Sequence, residues 1–536
     1  MVDNTSETDN LADKELGDSE NKPSDNIVKA LGFEMHNPVF FVSAALTLLF
    51  AAATLAFPET ANTWLHGAKG WSLRNFDWLY SITPVLILGL CVFLALSPFG
   101  KIRLGGADTK PDYSVGSWIA MLFAAGVGIG FMFYGSAEPL GYYTDWFGTP
   151  FNVEAGSADA RRLAFTTTVF HWGLFAWSVY AIVGLTLAFF AYNKGLPLTI
   201  RSAFYPILGE KVWGWPGHII DMFAVISTIF GLACTIGLGA TQATGGLSYI
   251  FGLTPSISLQ IGLIFVITLV AIGSVLRGMN GGIKLLSNIN MTGAVLLLLF
   301  VIIAGPTLAI FKSMGSTVFY SIPDSIKLAN WIGRPDQDFL YDWTIFYWAW
   351  WIAWSPFVGM FIARISKGRT IRQFMGGVLL APLAIGFVWF TAFGETAISQ
   401  YESKTGDLAG GVGDFALVLF QMLNSLPMSG ITSALAIILL IIFIVTSADS
   451  GALVVDSLTS GGKAKTPVRQ RVFWAAMLGL TAIALLYGGG DEALKSLQAG
   501  TITAALPFTL VVLLYGLCLV IGLRQELKEN KANLEP

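Results

Sequence analysis

Ala124-Ala125-Gly126-Val127-Gly128-Ile129-Gly130-Phe131, with Ser136-Ala137-Glu138-Pro139 just beyond it, sets three glycines at alternate positions inside an apolar run. An interior glycine costs a helix about 1 kcal/mol relative to alanine, so the cluster points to an unwound helix or to very close approach by another group. Small-residue packing between membrane helices uses similar spacing and is the competing reading. Either way the segment belongs in lipid. The run from 115 to 138 is long enough to cross a hydrocarbon layer about 30 Å thick.

Outward from it, further apolar stretches recur, giving twelve predicted spans near 38–57, 78–98, 115–138, 163–192, 218–250, 257–275, 286–311, 341–363, 371–397, 430–458, 468–488 and 500–523. The chain is 54% hydrophobic and 12% charged, whereas soluble domains carry about 25% charged residues. The stretches are continuous rather than alternating, which predicts helices and not a barrel. The expected fold class is all-α integral membrane.

The first thirty residues hold eight acids against three lysines, with almost no large apolar residues. Residues 1–33 are therefore expected to form a disordered acidic tail, 34–523 the twelve-helix membrane domain and 524–536 a short second tail. The start lacks the basic and apolar regions of a signal peptide. Lys101, Arg103, Arg364, Lys367, Arg369 and Arg372 lie in loops on the same side as both tails. The positive-inside rule then places both termini in the cytoplasm and the protein, surrounded by lipid, in the cell membrane.

No nucleotide loop, CxxC or HExxH pattern occurs, the four histidines are scattered, and Cys91, Cys234 and Cys518 fall inside separate apolar spans. This excludes ATP-driven and catalytic readings: a transporter is expected, not an enzyme, with no cofactor and no nucleic-acid partner. Uphill movement must then draw on an ion gradient.

Two aromatic clusters interrupt the apolar pattern. The eighth span reads Trp343-Thr344-Ile345-Phe346-Tyr347-Trp348-Ala349-Trp350-Trp351-Ile352-Ala353-Trp354-Ser355-Pro356-Phe357. Pro356 lacks a backbone donor and is expected to open the helix there. Trp350, Trp351 and Trp354 lie too deep for all of them to join an interfacial belt, the role assigned to Trp64, Trp71, Trp78, Trp213 and Trp215. The fourth span supplies Trp172, Trp177 and Tyr180. Faces of tryptophan and tyrosine hold a methylated ammonium, which donates no strong hydrogen bond, by about 0.5–2 kcal/mol per ring.

Together the stretches Ala124–Leu140, Phe170–Tyr180, Arg201-Ser202-Ala203, Ser287–Met291, Trp343–Arg372 and Val445–Gly451 closely resemble the betaine/choline/carnitine transporter family. The resemblance implies a LeuT-like fold, with spans three to seven and eight to twelve as inverted repeats and two additional N-terminal helices. It implies an aromatic box of Trp172, Trp177, Tyr180 and Trp351, with Trp350, Trp354, Phe357 and Phe361 lining the route inward, Trp350 and Trp354 counting also as substrate-binding. Backbone of Ala125, Gly126, Gly128 and Gly130 would meet the substrate's carboxylate. Choline-type members carry an acid where this chain has Gly130, which favours a betaine. A homotrimer is implied as well.

Sodium wants oxygen ligands. Thr446 and Ser447 offer adjacent hydroxyls within the tenth span, and such hydroxyls equally often bond back to their own helix. The resemblance implies a sodium site of Thr446, Ser447 and the carbonyls of Ala124, Val127 and Phe443. A second site, at Thr228 and Phe357, is weakened because Leu232 stands where some relatives have a threonine. Glu138 and Asp221 read as solvated or paired near span ends, His171 as bordering the box, and Asp449 as bracing the tenth span. The expected function is sodium-coupled import of a small quaternary-ammonium or sulfonium zwitterion, glycine betaine foremost. A sodium-independent carnitine/betaine exchanger and a proton-coupled choline transporter are the alternatives. The short segment after Leu523 implies weak osmotic activation.

Overall fold

The computed structural model describes residues 26–532 apart from 127, 278–281 and 464. Among the described residues, eleven helices are long and apolar enough to cross a membrane, which makes the chain a multi-pass, all-α membrane protein. Backbone groups have no water to bond in lipid, so the apolar sequence satisfies them within helices. The remaining predicted span is the glycine-interrupted one. It divides into α3 (Val115–Gly126), α4 (Ile129–Tyr134) and α5 (Ala137–Thr144), with Gly128 fully extended before α4. Unwinding, not helix packing alone, is therefore what the glycines serve.

The chain enters through a hairpin, β1 (Ile27–Ala30) paired with β2 (Phe33–His36), so the tail expected to run to residue 33 gives way to ordered structure earlier. Helix α1 (Val39–Ala56) follows. Helix α2 (Pro58–Leu96) is longer than a span and kinks at Phe76, just before the predicted start of span two. Next come α6 (Ala158–Trp172) and α7 (Leu174–Tyr192), split at Gly173, then α8 (Trp215–Phe251), α9 (Ile257–Arg277) and α10 (Gly282–Ala304). The seventh span was expected to reach 311. It ends at Ala304, because Gly305 and Pro306 break it, and α11 (Thr307–Leu328) leaves as a separate amphipathic helix. Helix α11 is tied back through Asp324, which accepts from Arg162 at 2.6 Å.

The aromatic-rich segment forms α12 (Phe346–Ile365), preceded by a π-helical turn at Leu340–Ile345. Here the structure corrects the sequence: α12 runs straight through Pro356, and the irregularity lies upstream of the tryptophans instead. Helices α13 (Ile371–Glu402), α14 (Val418–Asn424), α15 (Ser429–Thr459), α16 (Val468–Gly489) and α17 (Ala493–Ala532) complete the chain. Trp64, Trp71, Trp78 and Trp215 are exposed, as the belt assignment expects, whereas Trp213 is half-buried with the Arg201 guanidinium 5.6 Å from its ring centroid.

The hairpin docks through His36. Arg201 donates to His36 Nε2 and to His218 Nδ1, both at 3.1 Å, and its Nε lies 3.2 Å from Asp221. Asp221, read as solvated or paired, is paired and fully buried in this cluster. A guanidinium only donates, so both rings must present a bare nitrogen to it. Burial, then Arg201, then His218 push the His36 imidazole down to about 3. A base with a lowered folded-state value stabilises docking fully above about pH 6.5 and loses that contribution as pH falls toward 3. Hydrogen-exchange protection of residues 27–36, corrected for intrinsic rates, should therefore weaken between pH 6.5 and 4, and His36→Ala should reduce that weakening, the remainder being set by His218, Asp221 and Glu34. Constant protection across that range would contradict this docking account.

Candidate functional site

The helix breaks at Gly128 and Gly173 bring α4, α6 and α7 against α12, and the aromatic side chains converge there. Trp172, at the end of α6, meets Trp351 of α12 edge to face at 4.8 Å between ring centroids. Trp351 meets Tyr180 at 6.2 Å, and Tyr180 meets Trp177 at 5.3 Å. The interplanar angles along this series are 68°, 75° and 78°, so successive rings stand as walls rather than as a stack. Trp350 stacks on Trp351 at 5.0 Å, and its indole donates to Thr235 at 3.1 Å. That turns Trp350 toward α8 and makes it a backing for the box, not a wall facing its interior.

Gly130 lies under this group. A Cβ there would sit 2.3 Å from Trp172 Cη2, so only glycine lets the indole lie over α4. Gly128 has open space around the equivalent point. Ala124, Ala125 and Gly126 close α3, which ends at the break, but their side chains, and all of Val127, lie outside what the structure describes.

From the box, α12 presents Trp354, Phe357 and Phe361 partly exposed along one face, while nearly all its other residues are buried. Their spacing is helical, so they form one continuous stripe toward the loop carrying Lys367 and Arg369. Trp354 donates to the Gly231 carbonyl at 3.0 Å and packs on Phe357 at 5.4 Å. In the opposite direction Tyr134, Trp343 and Phe415 are buried against one another, at 6.5, 5.8 and 5.5 Å. Aromatic rings close one side of the site, and a partly exposed stripe leads from the other.

Thr446 donates to the Ile442 carbonyl at 2.9 Å and approaches that of Phe443 at 3.2 Å, the bond back to its own helix that the sequence allowed. The oxygen keeps lone pairs free, and Ser447 beside it is likewise half-buried. Thr228 is fully buried and bonds back to Ala224 at 2.7 Å. Leu232, one turn on, packs where a Cβ on Gly451 would lie 2.4 Å away, so an apolar contact fills the position of the missing hydroxyl. Asp449 accepts from Ser274 at 3.2 Å, joining α15 to α9.

The residue that sequence reasoning misplaced is Glu138. It is fully buried, not solvated, and accepts from Trp172 Nε1 at 2.7 Å and from the Tyr347 hydroxyl. His171 Nδ1 lies 3.4 Å away, and His171 Nε2 pairs with Thr344 at 3.0 Å. The available signal was an acid inside an apolar span, which is normally functional. Cys91, Cys234 and Cys518 are free and buried.

A family profile described as BCCT, betaine/carnitine/choline family transporter, matches residues 38–528. The chain is 51% identical over 504 residues to glycine betaine transporter 1 of Vibrio parahaemolyticus, covering 94% of this chain and 96% of that protein. It is 50% identical over 505 residues to a glycine betaine/proline/choline/ectoine transporter of the same organism, covering 94% and 90%. Against the glycine betaine transporter OpuD of Bacillus subtilis the identity is 40% over 496 residues, covering 92% and 95%.

Proposed function

The chain belongs to the betaine/carnitine/choline transporter family, and from that premise we propose that it is a sodium-coupled symporter that imports glycine betaine or a close zwitterion. The observation that carries the substrate class is the contiguous set of near-perpendicular rings, Trp172, Trp351, Tyr180 and Trp177. Such walls attract a trimethylammonium from several sides without needing a hydrogen bond. Gly128 leaves room for the carboxylate to meet backbone at the helix break, the usual place for a transporter site, while the space over Gly130 is taken by Trp172.

In this reading the inverted repeats of a LeuT-like fold surround the site and both termini are cytoplasmic. The stripe Trp354, Phe357 and Phe361 is then the inner route, and the cluster of Tyr134, Trp343 and Phe415 the closed outer side. Sodium binds at Thr446 and Ser447 with the carbonyls of Ala124, Val127 and Phe443. The Leu232 packing argues against a second ion at Thr228 and Phe357. A trimer is the assembly that the family suggests.

Uptake of radiolabelled glycine betaine into proteoliposomes, with and without an inward sodium gradient, tests this. Sodium-dependent accumulation is expected, and Thr446→Ala with Ser447→Ala should remove the dependence on sodium. Undiminished counterflow without sodium would replace symport by exchange. Absence of any betaine transport would overturn the substrate.

A further inference from the structure

Glu138 is a buried acid that touches neither the box interior nor the helix break, yet the box hangs on it. Its Oε2 receives the Trp172 indole N–H at 2.7 Å and the Tyr347 hydroxyl. The indole only donates, so Oε2 accepts that bond, and as an ionised carboxylate it accepts the hydroxyl's as well. Tyr347 in turn stacks on Trp351 at 5.7 Å with an interplanar angle of 18°. Trp351 Nε1 donates to the His171 carbonyl at 2.9 Å, and the His171 ring faces Glu138 Oε1. One carboxylate thus orders the walls contributed by both α6 and α12. No lysine or arginine pairs with it among the described residues.

A hydrogen bond from an indole to an anion is stronger than one to a neutral acceptor and pushes electron density onto the ring. The face of Trp172 is then more negative than that of an isolated indole, and low surrounding polarity leaves the effect unscreened. We propose that Glu138 is a positioning residue for cation recognition: through the Trp172 N–H it fixes the box and raises the attraction of its ring faces for a quaternary ammonium. This rests on the trimethylammonium reading of the site.

The test separates charge from shape. With purified full-length protein, binding of labelled glycine betaine is competed by glycine betaine, by its uncharged-head isostere 3,3-dimethylbutyrate, and by tetramethylammonium. Glu138→Gln keeps the side-chain shape and removes the charge. It should weaken glycine betaine and tetramethylammonium by about tenfold each, and the isostere by less than about twofold. Equal loss for all three competitors, or no loss for the two cations, would overturn the proposal. Glu138→Asp, which retains the charge if the glutamine variant does not fold, should leave the ratio between the cations and the isostere within about twofold of wild type, and collapse of that ratio would also overturn it. Failure of wild-type protein to bind glycine betaine would instead strike the substrate reading.

Discussion

Trp351→Leu is expected to lower glycine betaine uptake by roughly thirtyfold or more, about 2 kcal/mol or more of site energy. Trp351 is the ring the others lean on: Trp172 at 4.8 Å, Trp350 at 5.0 Å and Tyr180 at 6.2 Å. Its indole also holds the end of α6 through the His171 carbonyl. Leucine removes one cation-facing wall and the support of two more, so the loss should exceed a single ring's contribution. Removing a buried tryptophan also costs general stability, on the order of 3–5 kcal/mol for the full truncation to alanine. A second tryptophan on the same helix separates the two effects. Trp348 is as buried, but faces Phe170 and Phe175 at 5.1 and 5.8 Å and touches the site only through the His171 ring at 5.8 Å, with no box ring against it. Trp348→Leu should lower thermal stability comparably while leaving the KM for uptake within about threefold. If both variants raise KM alike, recognition is not localised at the Trp351 wall.

The legible part of this protein was what one helix or one motif declares. Lipid-length apolar runs gave the spans, and the alternating glycines gave the break between α3 and α4. Trp172, Trp177 and Tyr180 could be picked by type and Trp350, Trp351 and Trp354 by depth, the choice of Trp351 for the box being what the family resemblance implies; the structure brings Trp172, Trp177, Tyr180 and Trp351 together. What escaped depended on which faces meet. Pro356 reads as a break in sequence, but a membrane helix can carry proline when neighbouring packing holds its turn, and α12 is buried almost all round. Glu138 reads as a span-end acid because its partners, Trp172, Tyr347 and His171, lie 33 to 209 residues away. Its apolar neighbourhood hints at a role, but nothing local names its partners. Gly305-Pro306 was readable as a stop, yet the apolar character of Thr307-Leu308-Ala309-Ile310-Phe311 masked it, so that these first residues of α11 read as the end of the seventh span.

Gly130 is where two arguments make different demands. By charge, an acid at this position suits a cation without a carboxylate, so Gly130→Asp would move preference from betaine to choline. By shape, any side chain here meets Trp172, whose Cη2 and Cζ3 would lie 2.3 and 2.7 Å from the new Cβ. Trp172 has little freedom to yield. Its nitrogen is held by Glu138, and Phe131, Trp351 and Phe390 surround it at 5.6, 4.8 and 4.9 Å. Overpacking a tight site typically costs about 1–3 kcal/mol, a five- to hundredfold effect. Gly130→Ala, which adds bulk without charge, should therefore weaken glycine betaine by about that range, and Gly130→Asp by more, since its carboxylate would also repel the substrate's own. Competition of labelled betaine by betaine and by choline reads both terms in the same two variants. Weak binding of both ligands in both variants means that shape rules and that selectivity for choline needs a displaced Trp172 as well as an acid. Normal betaine binding in the alanine variant would mean that the indole swings aside at little cost. The glycine would then serve charge selection alone, and choline affinity should rise in the aspartate variant.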